Sequence, residues 1–371
     1  MRSLLHIFSS SVAGGTEQAC ADAIGAMDAS RFVHDVVFTD SNGFVVDRYK
    51  RVARRVEFDG QGGLVRTLAR IIRMMSSTPY DGVIAYGGRA NALCRAARVR
   101  SAGRRPVYVM ALRGLRITDS DSRARAAIDR LTSKPVEFIL ANSHAAIAAL
   151  PREYRGKPYG VAYNGVDGRL FFSTTDRAAS RRLCGLPDTG RMVLSTSHLR
   201  KAKNLPLLLR GFAKVHERHR DTFLALAGDP ILRSELEALA SDLGVRERVH
   251  FLGRRLDIPE LLRAADLFAL TSDHEGMPGG LLQAMATALP VVATSVGGVP
   301  ELVENDVSGM LVTPSSVSAL VAAMNACLES LDHSRRLSEG ALARVRDGFT
   351  LVAMGRQWNE ALETALALRE R

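Results

Sequence analysis

In this chain of 371 residues, the side chains whose types and order could do chemistry concentrate between residues 267 and 303. An apolar run, Leu267-Phe268-Ala269-Leu270, gives way to the polar turn Thr271-Ser272-Asp273-His274-Glu275-Gly276. Leu281, Leu282, Met285, Ala286 and Leu289 then recur at helical spacing, which predicts a helix with one packed face. After Pro290, the β-rich run Val291-Val292-Ala293-Thr294 leads to the glycine-rich turn Gly297-Gly298-Val299-Pro300-Glu301, which opens another helix. Two strand-to-helix turns therefore lie side by side at the carboxyl edge of a parallel sheet. At such an edge unpaired backbone N–H groups point outward and the helix dipole favours negative charge, so an anionic ligand is expected. Glu275 is the strongly placed acid of the stretch; taken alone, it reads first as a loop carboxylate capping its own helix.

The elements that must position these residues repeat along the chain. Residues 4–8 read as a first strand, followed by Gly14-Gly15-Thr16-Glu17 and a helix over 18–27. Gly14 and Gly15 let the backbone come close to a ligand at a helix start. Further strands are expected at 33–38, 82–86, 107–112, 136–140 and 160–163, with helices between most of them, an alternation that predicts a doubly wound parallel sheet. A second series begins with a strand at 192–196 and a helix at 206–216, and continues with strands at 223–227 and 249–252 and a helix at 257–265. Residues 309–312 read as a last strand, and the final helix holds the single tryptophan, Trp358. A chain of this length exceeds what one hydrophobic core normally serves, so two domains are expected.

Glu275, Pro290-Val291-Val292 and Gly297-Gly298-Val299-Pro300-Glu301 together resemble the signature of the retaining glycosyltransferases of family 4. That pattern is a Glu, seven residues, a second Glu, then Pro-Val-Val and Gly-Gly-x-Pro-Glu. This sequence departs from it at the second acid, which is Gln283; an amide both donates and accepts hydrogen bonds and can also hold ribose hydroxyls. Gly14-Gly15-Thr16-Glu17 matches the family's Gly-Gly-x-Glu loop, and Asn164-Gly165-Val166-Asp167 its Asn-Gly-Val-Asp segment. The resemblance implies an α/β protein of the GT-B fold, two doubly wound Rossmann-like domains facing across a cleft. Residues 1–170 would form the acceptor-side domain, joined by a C-terminal helix over 352–371, and residues 183–351 the nucleotide-sugar domain, with the polar run 173–182 as linker.

It also implies an activity: a metal-independent, hexosyltransferase-type enzyme moving a sugar from a nucleotide diphosphate to an acceptor hydroxyl with retention. The nucleotide sugar, with UDP favoured over GDP, is a co-substrate, and no cofactor is expected. The family shows an Arg and, five residues later, a Lys that grip the donor diphosphate. Lys203 matches the lysine, His198 stands at the arginine position, and Arg200 is assigned the arginine's role. Such cations stabilise negative charge as it develops on a leaving phosphate. Glu275 would bind the sugar's hydroxyls, Gly276, Met277 and Pro278 would shape the sugar pocket, and Glu301 with Gln283 would hold the ribose. Gly14 and Gly15 would approach the diphosphate, and Gly228 and Arg254 would lie near the base. On the acceptor side, Arg113 stands where many members carry a histidine. A guanidinium can bind phosphate or carboxylate in bidentate fashion but does not lose its proton. Ser143 and His144 are read as lining the cleft, with a helix cap as the alternative for His144. Asp119-Ser120-Asp121 reads as a solvated loop rather than a metal site.

Composition narrows the partners. An apolar fraction of 46% and a charged fraction of 24% are ordinary for a folded protein. No apolar run approaches the roughly 20 residues of a membrane span, and the amino terminus turns polar too soon for a signal peptide, so a cytoplasmic protein is expected. Cys20, Cys94, Cys184 and Cys327 are scattered and read as buried free thiols. The net charge of +11 is uneven: residues 1–190 hold 29 of the 50 Lys and Arg but 17 of the 39 Asp and Glu. Within that half, residues 48–75 contain Arg48, Lys50, Arg51, Arg54, Arg55, Arg66, Arg70 and Arg73. That composition suits peripheral contact with anionic lipid at the inner face of the cell membrane, or a sheet-covering helix with a solvated arginine face. The positive half favours an anionic or lipid-linked glycan acceptor, such as a lipopolysaccharide core, and lacks the interleaved aromatics of a nucleic-acid platform. The alternative to an enzyme is a non-catalytic GT-B scaffold that binds sugar nucleotides or partners, since Gln283, His198 and Arg113 all replace family residues.

Overall fold

Runs rich in Val, Ile, Leu and Phe form the strands, and helices returning over both faces make those strands parallel. The structure is a computed structural model that describes residues 1–11, 15–40, 43, 45–58, 63–100, 106–114, 133–172, 176–197, 199–229 and 231–369. The chain divides into two units: Met1–Gly165 with Leu351–Arg371, and Val166–Thr350.

In the first unit the described strands are β1 (Arg2–Phe8), β2 (Phe32–Phe38), β3 (Arg55–Phe58), β4 (Gly82–Tyr86), β5 (Val107–Leu112), β6 (Phe138–Ala141) and β7 (Tyr159–Val161). They form one sheet in the order β3-β2-β1-β4-β5-β6-β7, parallel at each pairing. Sequence pattern did not reveal β3. It is an edge strand without a fully buried residue, and its alternation of Arg55 and Glu57 with Val56 and Phe58 lies inside a segment dominated by arginine. The helix Leu351–Ala367 belongs to this unit, burying Met354, Trp358, Leu362 and Leu366 in the core formed with Phe8, Phe38, Tyr49 and Tyr86. Gly355 is required there, because a Cβ would meet the Ala26 carbonyl oxygen at 2.0 Å.

The second unit repeats the plan with β8 (Arg191–Thr196), β9 (Thr222–Ala227), β10 (Val249–Gly253), β11 (Leu267–Leu270), β12 (Val291–Thr294) and β13 (Met310–Val312). Their order is β10-β9-β8-β11-β12-β13. The polar run expected as a linker is in part the helix Arg177–Cys184 of this unit. Its Arg181 is buried, donating to Asp266 (2.7 Å), the Gly190 carbonyl (2.8 Å) and the Ala264 carbonyl (3.0 Å), so the guanidinium is fixed within the second unit. All four cysteines are buried free thiols, and burial pushes Cys20 and Cys327 up to about 12. No helix among the described residues is long and apolar enough to cross a membrane.

One polar chain runs through the first core. His6 joins the Tyr86 hydroxyl (2.8 Å) to His34 Nδ1 (2.9 Å). Beside it, Asp35 accepts from Tyr80 (2.7 Å) and, through both oxygens, from Arg54. Burial holds both histidines below the ordinary 6.5, His34 at about 4. The unfolded chain therefore takes up protons that the folded chain refuses, so this contribution to stability is complete above about pH 6.5 and is lost as pH falls from there toward 4. Melting temperature measured across that window should decline for the wild type and decline less for His34→Gln; equal slopes would remove His34 as a cause.

Candidate active site

Beyond β11 the chain turns through residues 271–276, and beyond β8 through residues 199–204; both turns lie at the carboxyl edge of the second sheet, where β8 and β11 are neighbours. Sequence separation of about seventy residues is thereby closed to hydrogen-bond distance. Lys203 Nζ donates to Glu275 Oε1 at 2.6 Å, and the Ser272 hydroxyl donates to the same oxygen at 2.6 Å. Glu275 is 9% exposed. A buried carboxylate needs such compensation, because an unpaired charge in a low dielectric is costly. Glu275 Oε2 has no partner among the described residues, so one acceptor oxygen stays available to a ligand hydroxyl.

The two turns are laced by further bonds. Asp273 N–H donates to the Ala202 carbonyl (2.9 Å), and the Thr271 hydroxyl donates to the carbonyls of Lys203 (3.2 Å) and Asn204 (3.1 Å). Asn204 adopts left-handed backbone angles, φ 44° and ψ 47°, donates from its amide to Asp273 (2.8 Å) and caps the helix Leu205–Arg218. Asparagine tolerates that conformation better than other side chains, since its short amide bonds locally. A third turn joins them: the Gly298 amide donates to the Glu275 carbonyl (3.1 Å), and the Thr294 hydroxyl to that of Ser272 (2.6 Å). Gly297 has φ +51°, so the turn after β12 is made by a residue without a Cβ penalty.

Around this knot Gly276, Met277 and Pro278 are buried, and Pro278 precedes the helix Gly279–Ala286. A Cβ on Gly280 would meet the Thr196 hydroxyl at 2.6 Å and its carbonyl at 2.8 Å, so glycine lets this helix start press against the end of β8. Gln283 is half-buried one turn further on, and Glu301 is half-buried in the helix Val299–Leu302, where its carbonyl accepts from Arg344 (2.8 Å). Gly228 and Arg254 follow β9 and β10, and Gly228 N–H donates to the Gly253 carbonyl (2.8 Å). Arg200 is exposed at the rim of the 199–204 turn. Gly14, His198 and Asp119-Ser120-Asp121 lie outside the described residues.

In the first unit the residues read as acceptor-side lie at the carboxyl edge of its sheet. Gly15 begins the helix Gly15–Ala26, and a Cβ there would meet nothing within 4 Å. Arg113 follows β5; its guanidinium donates to Asn164 Oδ1 (2.5 Å) and lies 5.4 Å from the Trp358 ring, a cation over an aromatic face. Its planar group is thus held by its own chain. Ser143, not His144, is the helix cap: its hydroxyl accepts from Ala146 N–H (3.1 Å). His144 is exposed and meets the Tyr163 ring edge-on, centroids 6.4 Å apart. Ser272, Asn204 and Gly280 escaped the sequence reading; the signal for Asn204 was its place directly after Lys203 and before a helix.

The profile of the group 1 glycosyl transferases matches residues 176–344. N-acetyl-alpha-D-glucosaminyl L-malate synthase of Bacillus anthracis is 28% identical over 70% of this chain and 68% of its own length. The UDP-Gal:alpha-D-GlcNAc-diphosphoundecaprenol alpha-1,3-galactosyltransferase of Escherichia coli is 25% identical over 78% of this chain and 76% of its own. The crystal structure of Anabaena HepE in complex with UDP and glucose matches 98% of this chain and 100% of that one, at 25% identity and a TM-score of 0.86. The fold and these likenesses are those of a glycosyltransferase of the GT-B class. Within that class, the likeness is to the group 1 glycosyl transferases, whose profile covers residues 176–344, and to relatives of the family 4 type.

The left-handed clasp makes a prediction about stability. Asn204→Gly keeps the backbone and loses the amide bond to Asp273 and the cap, costing about 1 kcal/mol or less; Asn204→Ala adds roughly 1–2 kcal/mol of backbone strain. Chemical denaturation should rank wild type, Gly, then Ala, and an alanine variant as stable as the glycine one would contradict the strain.

Proposed function

We propose that this protein transfers a sugar from a nucleotide-diphosphate sugar, UDP favoured, to a hydroxyl of an acidic or membrane-linked glycan or lipid, with retention of anomeric configuration. The observation that carries this reading is the pair Lys203–Glu275, held at the carboxyl edge of the second sheet beside glycine-rich helix starts. A helix start supplies N–H donors to phosphate, and a lysine beside it supplies a point charge. The HepE structure similar to this chain contains UDP and glucose, and the Escherichia coli relative is named for a UDP-linked donor and a lipid-diphosphate acceptor. Both names favour a UDP-linked donor here, and the second also favours a lipid-linked acceptor.

Retention by a glycosidase route uses two carboxylates flanking the sugar, about 5 Å apart. Glu275 has no acidic neighbour in the 271–276 turn except Asp273, which is bonded to Asn204. The proposed step is therefore front-face attack. The acceptor oxygen bonds to the anomeric carbon as the bond to the β-phosphate oxygen breaks, and that oxygen receives the acceptor proton. Lys203 and Arg200 stabilise the charge that develops on the diphosphate, and Glu275 Oε2 accepts from a sugar hydroxyl. Lys203 serves both groups, because its ammonium has three donors and Glu275 takes one. Gln283 and Glu301 are assigned to the ribose, and the reaction is written without a metal ion or cofactor.

Thermal shift against UDP, GDP, ADP and TDP sugars tests the donor. A ligand at about 100 times its Kd adds about 2.7 kcal/mol to stability, so UDP should raise the melting temperature of the wild type and not of Lys203→Ala. With a competent acceptor, Lys203→Ala should lower kcat by about 10²–10³, the range for losing one preorganised charge-stabilising donor. A shift without turnover on any acceptor would favour the scaffold reading, and no shift with any nucleotide would remove donor binding. The anomeric configuration of the product, read by NMR, decides retention.

A further inference from the structure

Among the described residues, Arg113 has no carboxylate partner. Its side chain is half-buried at the carboxyl edge of the first sheet, and its guanidinium donates only to neutral oxygens, Asn164 Oδ1 (2.5 Å) and, weakly, the Ala162 carbonyl (3.5 Å). Its Nε is buried and bonds to nothing. Burial raises the Cys20, Tyr49 and Tyr86 groups, and the Arg113 charge opposes that rise in all three, so the cation lies among a thiol and two phenols. Glu17 acts on Cys20 and Tyr49 as well, yet no ion pair joins it to Arg113. A charge withdrawn from water without a counter-charge is costly, so the position calls for an anion from outside the chain.

A second unpaired group lies under the same side chain. β5, β6 and β7 are neighbours in that order, so a side chain that starts after β5 and reaches Asn164 after β7 passes over the end of β6. The residue at that end is Asn142, whose N–H donates to the Leu112 carbonyl (3.1 Å). Ala111 and Leu140 belong to the core that holds Trp358, and Leu112 and Ala141 to the one on the opposite face; alternation therefore returns Arg113 and Asn142 together to the Trp358 face. Asn142 is 1% exposed, and its Oδ1 has no partner. A buried amide left unbonded is rare enough to require a role. The helix Gly15–Ala26 packs on this face and starts at this edge, where a Cβ on Gly15 would meet nothing, so its first N–H groups add to a field that favours negative charge. We propose that Arg113 and Asn142 form a recognition site for an oxyanion, a phosphate or a carboxylate, carried by the acceptor beside its reacting hydroxyl. The guanidinium takes the anion through its fork, and Asn142 turns its amide to donate to the same group. Arg113 keeps its proton, so it selects the acceptor by charge and is no base. The inference rests on the proposed transfer reaction for the word acceptor; anion binding itself is measured without turnover.

The test is thermal unfolding of the full chain at constant ionic strength, with UDP alone and then with UDP in excess plus glycerol 3-phosphate, glycerate or glycerol. UDP alone reports on the donor reading, and the additions report on this site. Glycerol 3-phosphate or glycerate should raise the melting temperature by about 2 °C or more beyond UDP, and neutral glycerol should not; which of the two anions acts names the oxyanion. Arg113→Gln should lose that rise and keep the shift caused by UDP. Asn142→Asp places a carboxylate under the guanidinium, so it should melt no lower than the wild type without any anion and lose the response to added anion. An anion effect that persists in Arg113→Gln, an equal effect of glycerol, no effect of either anion on the wild type, or an Asn142→Asp variant that is destabilised and still responds would each overturn the proposal. An anion effect lost in Arg113→Gln, with no shift by UDP, would leave this site standing and remove the donor reading instead.

Discussion

A carboxylate only 9% exposed dictates much of what surrounds it. Glu275 would be costly to bury alone, and the cost is offset by a lysine and a hydroxyl converging on one of its oxygens. Because Lys203 comes from a turn after β8 and Glu275 from one after β11, the pair forms only if those strands are neighbours and their turns keep a fixed spacing. The side-chain and backbone bonds between residues 202–204 and 271–273 maintain that spacing, with Asn204 in a strained conformation as their clasp. A charged pair with one oxygen unclaimed is then presented at the sheet's edge.

The same economy appears in the first unit in apolar form. Trp358, from the last helix, is fully buried against Phe8, Tyr49 and Tyr86, and its ring also supports the guanidinium of Arg113. A residue read as available to an acceptor is thereby oriented by the core beneath it and by Asn164 beside it. Where the family resemblance implies a histidine, this edge carries a permanent cation. Arg113 can steer an anion but cannot exchange a proton at neutral pH.

Glycine recurs where backbones must approach. At Gly280 a helix start meets the end of β8, and at Gly355 the last helix meets Ala26; in each case a methyl group would overlap a backbone oxygen. These contacts fix helices against the strands or helices they serve, and so fix what the helix starts can reach.

The sequence by itself determined the alternation of strands and helices, the two-sheet architecture and the membership of Glu275, Lys203, Gly297 and Gly298 in one family pattern. Continuous apolar runs such as 107–112 and 267–270 announce buried parallel strands, and glycine-rich turns announce helix starts near anions, because both signals are local. It did not disclose β3, an edge strand whose half-exposed, charged pattern carries little periodicity, nor the helix within the supposed linker, whose Arg181 is held by residues more than eighty positions away. Only the tertiary structure decided that Ser272 and Asn204 belong with Lys203 and Glu275, and that Ser143 spends its hydroxyl on a helix cap. Those facts depend on which strands are neighbours and which helix face is covered, and spacing along the chain carries neither.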